Sequence, residues 1–64
     1  MVVIVATNRR LKGNPYGDNV FYSHVYGALE PIKNATKYSS YESAQPDVRK
    51  LSETFEFVAA VPAL

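Results

Sequence analysis

The chain has 64 residues, of which 47% are hydrophobic and 20% charged, with a formal net charge of +1 and no cysteine. This composition is typical of one small globular domain, residues 1–64, and excludes a disordered chain, a disulfide scaffold and a thiolate metal site. A chain this short buries only about 60% of its unfolded surface. We therefore expect its stability to depend on good packing, self-association or a larger partner.

The chain opens with a continuous β-branched run, Met1–Thr7. This run predicts a strand that is buried on both faces, or one that opens a sheet at its centre. It is too short to span a bilayer and lacks the basic residues that precede a secretory signal. We therefore expect a cytoplasmic or intracellular protein without a membrane partner.

The next segment, 8–19, contains two clusters of turn residues, which predict a long loop. Long loops in small domains are often functional. This loop holds a basic cluster and a tyrosine, which we interpret as a candidate contact for nucleic acid or an acidic partner. The residues of that candidate contact are Arg9, Arg10, Lys12 and Tyr16.

The segment Asn19–Leu29, with the sequence NVFYSHVYGAL, is the longest run of β-branched and aromatic residues. It predicts a second strand, antiparallel to the first. Because successive side chains of a strand point to opposite faces, Phe21, Val25 and Leu29 are expected to face the core. Gly27 is interpreted as a bulge or a close backbone approach within the strand.

A helix is predicted over 39–52. Ser39 and Glu42 have the spacing of a capping box, and Pro46 is expected to interrupt the helix near its middle. An alternative is that the Ser- and Thr-rich segment 36–43 forms a further strand.

The segment Glu53–Val61 alternates most clearly and predicts the last strand, with Phe57 and Val58 on opposite faces. The predicted fold is α+β: a small three-stranded antiparallel sheet in the order ββαβ, with one short, proline-interrupted helix on one face. One helix covers only one face of a sheet. An uncovered face rich in apolar and tyrosine side chains is typical of an interface.

We therefore predict a non-catalytic protein-interaction module. It is expected to be a small accessory, inhibitor or assembly-subunit protein of the kind that viruses encode. Its partner is expected to be a larger protein or a second copy of itself. The predicted interface residues are Tyr22, His24, Tyr26, Val58 and Ala60, although ordinary cross-strand packing is the alternative role for the aromatic ones.

Catalysis is not expected. Ser23 and His24 are neighbours on the predicted strand, so their side chains point to opposite faces and form no nucleophile–base pair. His24 is the one histidine, which argues against a structural zinc site. We predict no catalytic residue, no metal and no cofactor.

The alternative function is single-stranded nucleic-acid binding, since a basic loop beside exposed aromatic side chains suits phosphate attraction and base stacking. The string KGNPY at 12–16 resembles the basic hairpin of the small single-stranded-DNA-binding proteins of filamentous phages. The resemblance covers about five residues of 64. It implies that Arg9, Arg10, Lys12 and Tyr16 contact the nucleic-acid backbone and bases.

Overall fold

The computed structural model describes residues 1–63 and confirms an α+β domain, in which a helix accompanies a four-stranded antiparallel sheet. The helix α1 spans Tyr41–Leu51, and short 3-10 turns lie at Pro15–Gly17 and Ile32–Asn34. The strands are β1 (Val2–Thr7), β2 (Phe21–Ser23), β3 (Ala28–Glu30) and β4 (Phe57–Pro62), in the spatial order β3-β2-β1-β4. The prediction of three strands is therefore wrong.

Strand β1 occupies the interior of the sheet. It pairs antiparallel with β2 on one side and with β4 on the other. Val3, Ile4 and Ala6 have no exposed surface. The prediction of a strand buried on both faces is confirmed, because the continuous apolar run leaves no side of β1 suited to water.

The predicted single strand 19–29 is instead a hairpin. Strand β2 ends at Ser23, the chain turns, and β3 begins at Ala28, which pairs with Ser23. The backbone N–H of Gly27 donates to the carbonyl oxygen of Ser23 at 2.9 Å, and Gly27 has a φ of +64°. Glycine reaches this left-handed conformation readily, so Gly27 closes a turn rather than forming a bulge. Val25, predicted to be in the core, is 87% exposed at this turn.

The helix begins at Tyr41, two residues later than predicted, and its cap is Ser40 rather than Ser39. The Ser40 hydroxyl accepts from the Ser43 backbone N–H at 3.2 Å, and the Ser43 hydroxyl accepts from the Ser40 N–H at 3.1 Å. This reciprocal cap replaces the predicted Ser39–Glu42 pair. The predicted interruption is also wrong, since α1 continues through Pro46. Pro46 is exposed, and the helix is held to the sheet by its opposite side.

In the segment 36–43, for which a strand was the alternative prediction, one residue, Tyr38, forms a β-bridge. Val2 and Tyr38 exchange both backbone hydrogen bonds, at 2.9 and 2.8 Å, in an isolated antiparallel bridge. This bridge places Tyr38 next to β1 just before the chain enters α1.

The sheet has packed residues on both faces. Helix α1 covers one face, where Ala44 packs with Val2 and Ile4. On the other face, Leu11 and Tyr16 from the long loop pack on a cluster that contains Phe21. This second layer corrects the prediction of an uncovered face. Its residues come from segments rich in turn and polar residues, in which single apolar side chains fold back onto the sheet.

Candidate functional site

The predicted interface residues do not form one open surface. Val58, Ala60 and Tyr22 are half-buried and pack against the cluster under α1. His24 and Tyr26 are exposed, but they lie in the turn between β2 and β3. These residues were predicted to be neighbours on an uncovered face. Tyr22, Val58 and Ala60 do share a face of the sheet, but α1 covers that face, whereas His24 and Tyr26 lie in the hairpin turn.

His24 has its contacts within this hairpin region. Its Nδ1 lies 3.2 Å from the Tyr22 hydroxyl, and its backbone N–H donates to the Thr36 hydroxyl at 2.7 Å. The neighbouring Ser23 is fully buried, and its hydroxyl accepts from the Tyr26 backbone N–H at 3.4 Å. The imidazole thus contacts the Tyr22 hydroxyl, whereas the Ser23 hydroxyl contacts a backbone amide.

The basic side chains of the long loop are exposed, whereas its tyrosine is packed against the sheet. Arg9, Arg10 and Lys12 are exposed. Tyr16 is half-buried, with its ring stacked on Phe21 at a centroid distance of 5.8 Å. The Tyr16 hydroxyl also donates to the carbonyl oxygen of Pro62 at 2.7 Å. This ring is therefore engaged in packing the protein's own sheet and is not free to stack on a base.

A cleft of about 320 Å³ lies between the start of the long loop and β4. Its apolar lining includes Val5, Leu11, Phe57 and Ala59. Phe57 is 44% exposed, so a large aromatic side chain of the cleft remains open to a partner. Arg10 and Glu56 also line the cleft and supply one charge of each sign.

This cleft was not predicted from the sequence. It requires Leu11, which lies in a segment without periodicity, to approach β4 from the far end of the chain. The sequence carried one sign of this packing, the apolar residue Leu11 between Arg10 and Lys12, because a leucine is not expected in a loop that is fully exposed to water.

The outer edge of β4 adjoins the cleft. On β1, Val2 exchanges its backbone hydrogen bonds with Tyr38, and the Ala6 N–H donates to the carbonyl oxygen of Val20. Both residues therefore direct their backbone polar groups to the side of β1 that faces away from β4. The alternate β1 residues therefore bond to β4, and Val5 is paired with Ala59. It follows that Val58 and Ala60 direct their N–H and C=O groups away from β1, toward the open edge.

This edge has no charged side chain between Phe57 and Pro62. Edge strands of soluble proteins are commonly protected by charges, bulges or a covering segment. Within residues 1–63, β4 pairs with β1 alone, so its other edge has no strand beside it. The candidate functional site is therefore the β4 edge together with the adjoining cleft, which we call the β4 surface: Val5, Leu11 and Phe57–Pro62.

Residues 1–63 contain no group of three or more His, Asp or Glu side chains placed to hold a metal ion. Across the same part of the chain, no helix is long and apolar enough to cross a membrane. Comparisons with protein-family models, with curated proteins and with solved structures found no match to this chain.

Proposed function

We propose that the protein is a non-catalytic protein-interaction module and that the β4 surface is its binding site. The observation that carries the proposal is the combination, at one place, of an uncharged edge strand and an open apolar cleft. The backbone groups of Val58 and Ala60 offer hydrogen bonds to an added strand, and the cleft offers a place for its apolar side chain. This is the arrangement of recognition by strand addition.

The partner that fits is an extended protein segment, from a second copy or from a larger protein. Main-chain hydrogen bonds to the edge supply affinity, and the side chain that enters the cleft supplies selectivity. Arg10 and Glu56 favour a partner with a polar or charged residue beside its apolar one.

The experiment is selection from a library of linear peptides of about twelve residues, a length that spans the edge of β4. We expect selected peptides to alternate apolar and polar residues and to bind with a Kd raised about tenfold or more by Phe57→Lys. The matched control is Tyr41→Lys, which adds the same charge at an aromatic residue of similar exposure, 50% against 44%, on the helix. We expect this control to leave binding unchanged.

The proposal is overturned when two results occur together. The first is that no selected peptide depends on Phe57. The second is that the chain does not self-associate through β4.

Single-stranded nucleic-acid binding is the second candidate, favoured by the exposed cluster Arg9, Arg10 and Lys12. With Tyr16 packed on Phe21, phosphate attraction has to supply the affinity, so binding should fall steeply with salt. The test is the affinity for an oligonucleotide at two salt concentrations. Binding that is absent at low salt, or unchanged by Arg9→Ala with Arg10→Ala, excludes this candidate.

A further inference from the structure

We infer that the partner of the β4 surface is a second copy of this chain, joined edge to edge through antiparallel β4 strands. The inference rests on the proposed function, because it assigns an occupant to the same site. The result is a continuous eight-stranded sheet, made from two copies of the four-stranded sheet.

The edge of β4 is complementary to itself. A two-fold interface requires each donor to meet an acceptor of the same surface on the other copy. When the axis passes between the two Ala59 residues, Val58 of one copy lies opposite Ala60 of the other, and the reverse. Each of these pairs exchanges both of its backbone hydrogen bonds, as residues of a hydrogen-bonded antiparallel pair do.

The chain favours this register over the two neighbouring registers. Shifting the axis to Ala60 places Val58 opposite Pro62, which has no N–H and whose carbonyl oxygen already accepts from the Tyr16 hydroxyl. Shifting the axis to Val58 requires Glu56, which precedes β4, to join the strand, although its N–H is directed at the Asn8 side chain at 3.4 Å. The register centred on Ala59 needs neither change.

The side chains of β4 also fit this pairing. Residues that face each other without hydrogen bonds have their Cα atoms only about 4.5 Å apart, so small side chains suit the axis. Ala59 is small and exposed there. On the same face, Phe57 of one copy lies opposite Val61 of the other, which covers the exposed aromatic ring at both ends of the interface.

Electrostatics also favour the pairing of the two β4 strands. Because β4 contains no charged residue from Phe57 to Pro62, two identical strands approach without like-charge repulsion. A charge placed at the axis introduces that repulsion, since it lies next to its own copy. This makes Ala59 the position most sensitive to substitution by lysine.

Sedimentation equilibrium over a range of concentrations tests the inference. We expect the wild-type chain to approach twice its monomer mass and Ala59→Lys to raise the dimer Kd about tenfold or more. The control is Ala28→Lys, the same substitution at an exposed alanine of β3, the opposite edge of the sheet. Circular dichroism verifies that both variants are folded, and Ala28→Lys should dimerise as the wild type does.

A second measurement does not depend on a lysine. The chain has no cysteine, so Ala59→Cys introduces a single thiol in each copy. In the dimer the two Cα atoms of residue 59 lie about 4.5 Å apart across the axis, which is within the range for a disulfide. We expect Ala59→Cys to form covalent dimers on mild oxidation much faster than Ala28→Cys.

Three results overturn the dimer: a wild-type chain that stays monomeric up to about 1 mM, a dimer that Ala59→Lys leaves intact, or equal cross-linking of the two cysteine variants. A monomer that still selects peptides through Phe57 overturns the dimer but leaves the proposed function standing. The two failures are therefore distinguishable.

Discussion

The Tyr38 hydroxyl donates a hydrogen bond of 2.6 Å to Oδ2 of Asp47. Tyr38 is bridged to Val2 on β1, and Asp47 lies in α1, so this bond joins the sheet to the helix. Burial of the phenol, together with its bond to Asp47, holds the pKa of Tyr38 well above its usual value of about 10.

Replacing Tyr38 with phenylalanine should lower the free energy of unfolding at neutral pH by about 1–2 kcal/mol, because a hydrogen bond to a carboxylate is lost. The contribution of Tyr38 to the free energy of unfolding should also depend on pH. A raised folded-state pKa contributes stability that is fully present below about pH 10 and is lost as pH rises above it, since the unfolded chain releases the proton first. Denaturant unfolding should show the difference between wild type and Tyr38→Phe shrinking above about pH 10. A difference that stays constant from neutral to strongly alkaline pH would contradict this role.

Tyr16→Phe should reduce stability by about 0.5–1.5 kcal/mol, because the hydroxyl bond to Pro62 is lost while the stacking on Phe21 remains. The matched control is Tyr26→Phe, at an exposed tyrosine of the hairpin turn, which should leave the free energy of unfolding unchanged. Thermal unfolding of the two variants distinguishes them. Equal melting temperatures would show that the bond to Pro62 contributes nothing.

Gly27→Ala should destabilise the chain by about 1–2 kcal/mol, because an L-residue is strained at a φ of +64°. Among residues 1–63, no atom other than those of Gly27 and its two chain neighbours lies within 4 Å of the added Cβ, so the cost comes from the backbone conformation. Gly17→Ala is the control: its Cβ also meets open space, but Gly17 does not have a positive φ. Chemical denaturation should show Gly17→Ala to be neutral or slightly stabilising.

Pro46→Ala should stabilise the protein by about 1–3 kcal/mol, because it restores an N–H to the interior of α1 and removes a ring that crowds the preceding turn. The neighbouring Gln45→Ala, also exposed and within α1, should change stability by less than about 0.5 kcal/mol. An unchanged melting temperature for Pro46→Ala would indicate that the helix already accommodates the ring without strain.

Periodicity explains which elements could be predicted. The unbroken apolar run of β1 and the alternation of Phe57 and Val58 in β4 are direct signals of strands, and both strands are present. The predicted start of the last strand at Glu53 is wrong, since β4 begins at Phe57 and residues 53–56 form the turn that follows α1. The reversal of the chain after Ser23 leaves no such signal, because a hairpin built of β-branched and aromatic residues has the same composition as one long strand. Gly27 was the one indication of a turn.

The covering of the second sheet face could not be predicted for a different reason. Leu11 and Tyr16 are single apolar residues in a segment of turns, and periodicity does not specify where such residues pack. The same limit applies to the β4 surface, whose cleft requires a loop residue and an edge strand from opposite ends of the chain. Only the three-dimensional arrangement brings them together.

The pairing of β1 with β4 sets the order in which this protein can assemble. Strand β1 (Val2–Thr7) is synthesised well before β4, because Thr7 and Val2 lie far along the chain from their partners Phe57 and Pro62. Closing so large a loop makes folding slower than for a helical protein of equal size. A chain that terminates before Phe57 would leave one side of its most apolar strand without a partner and would be prone to aggregate.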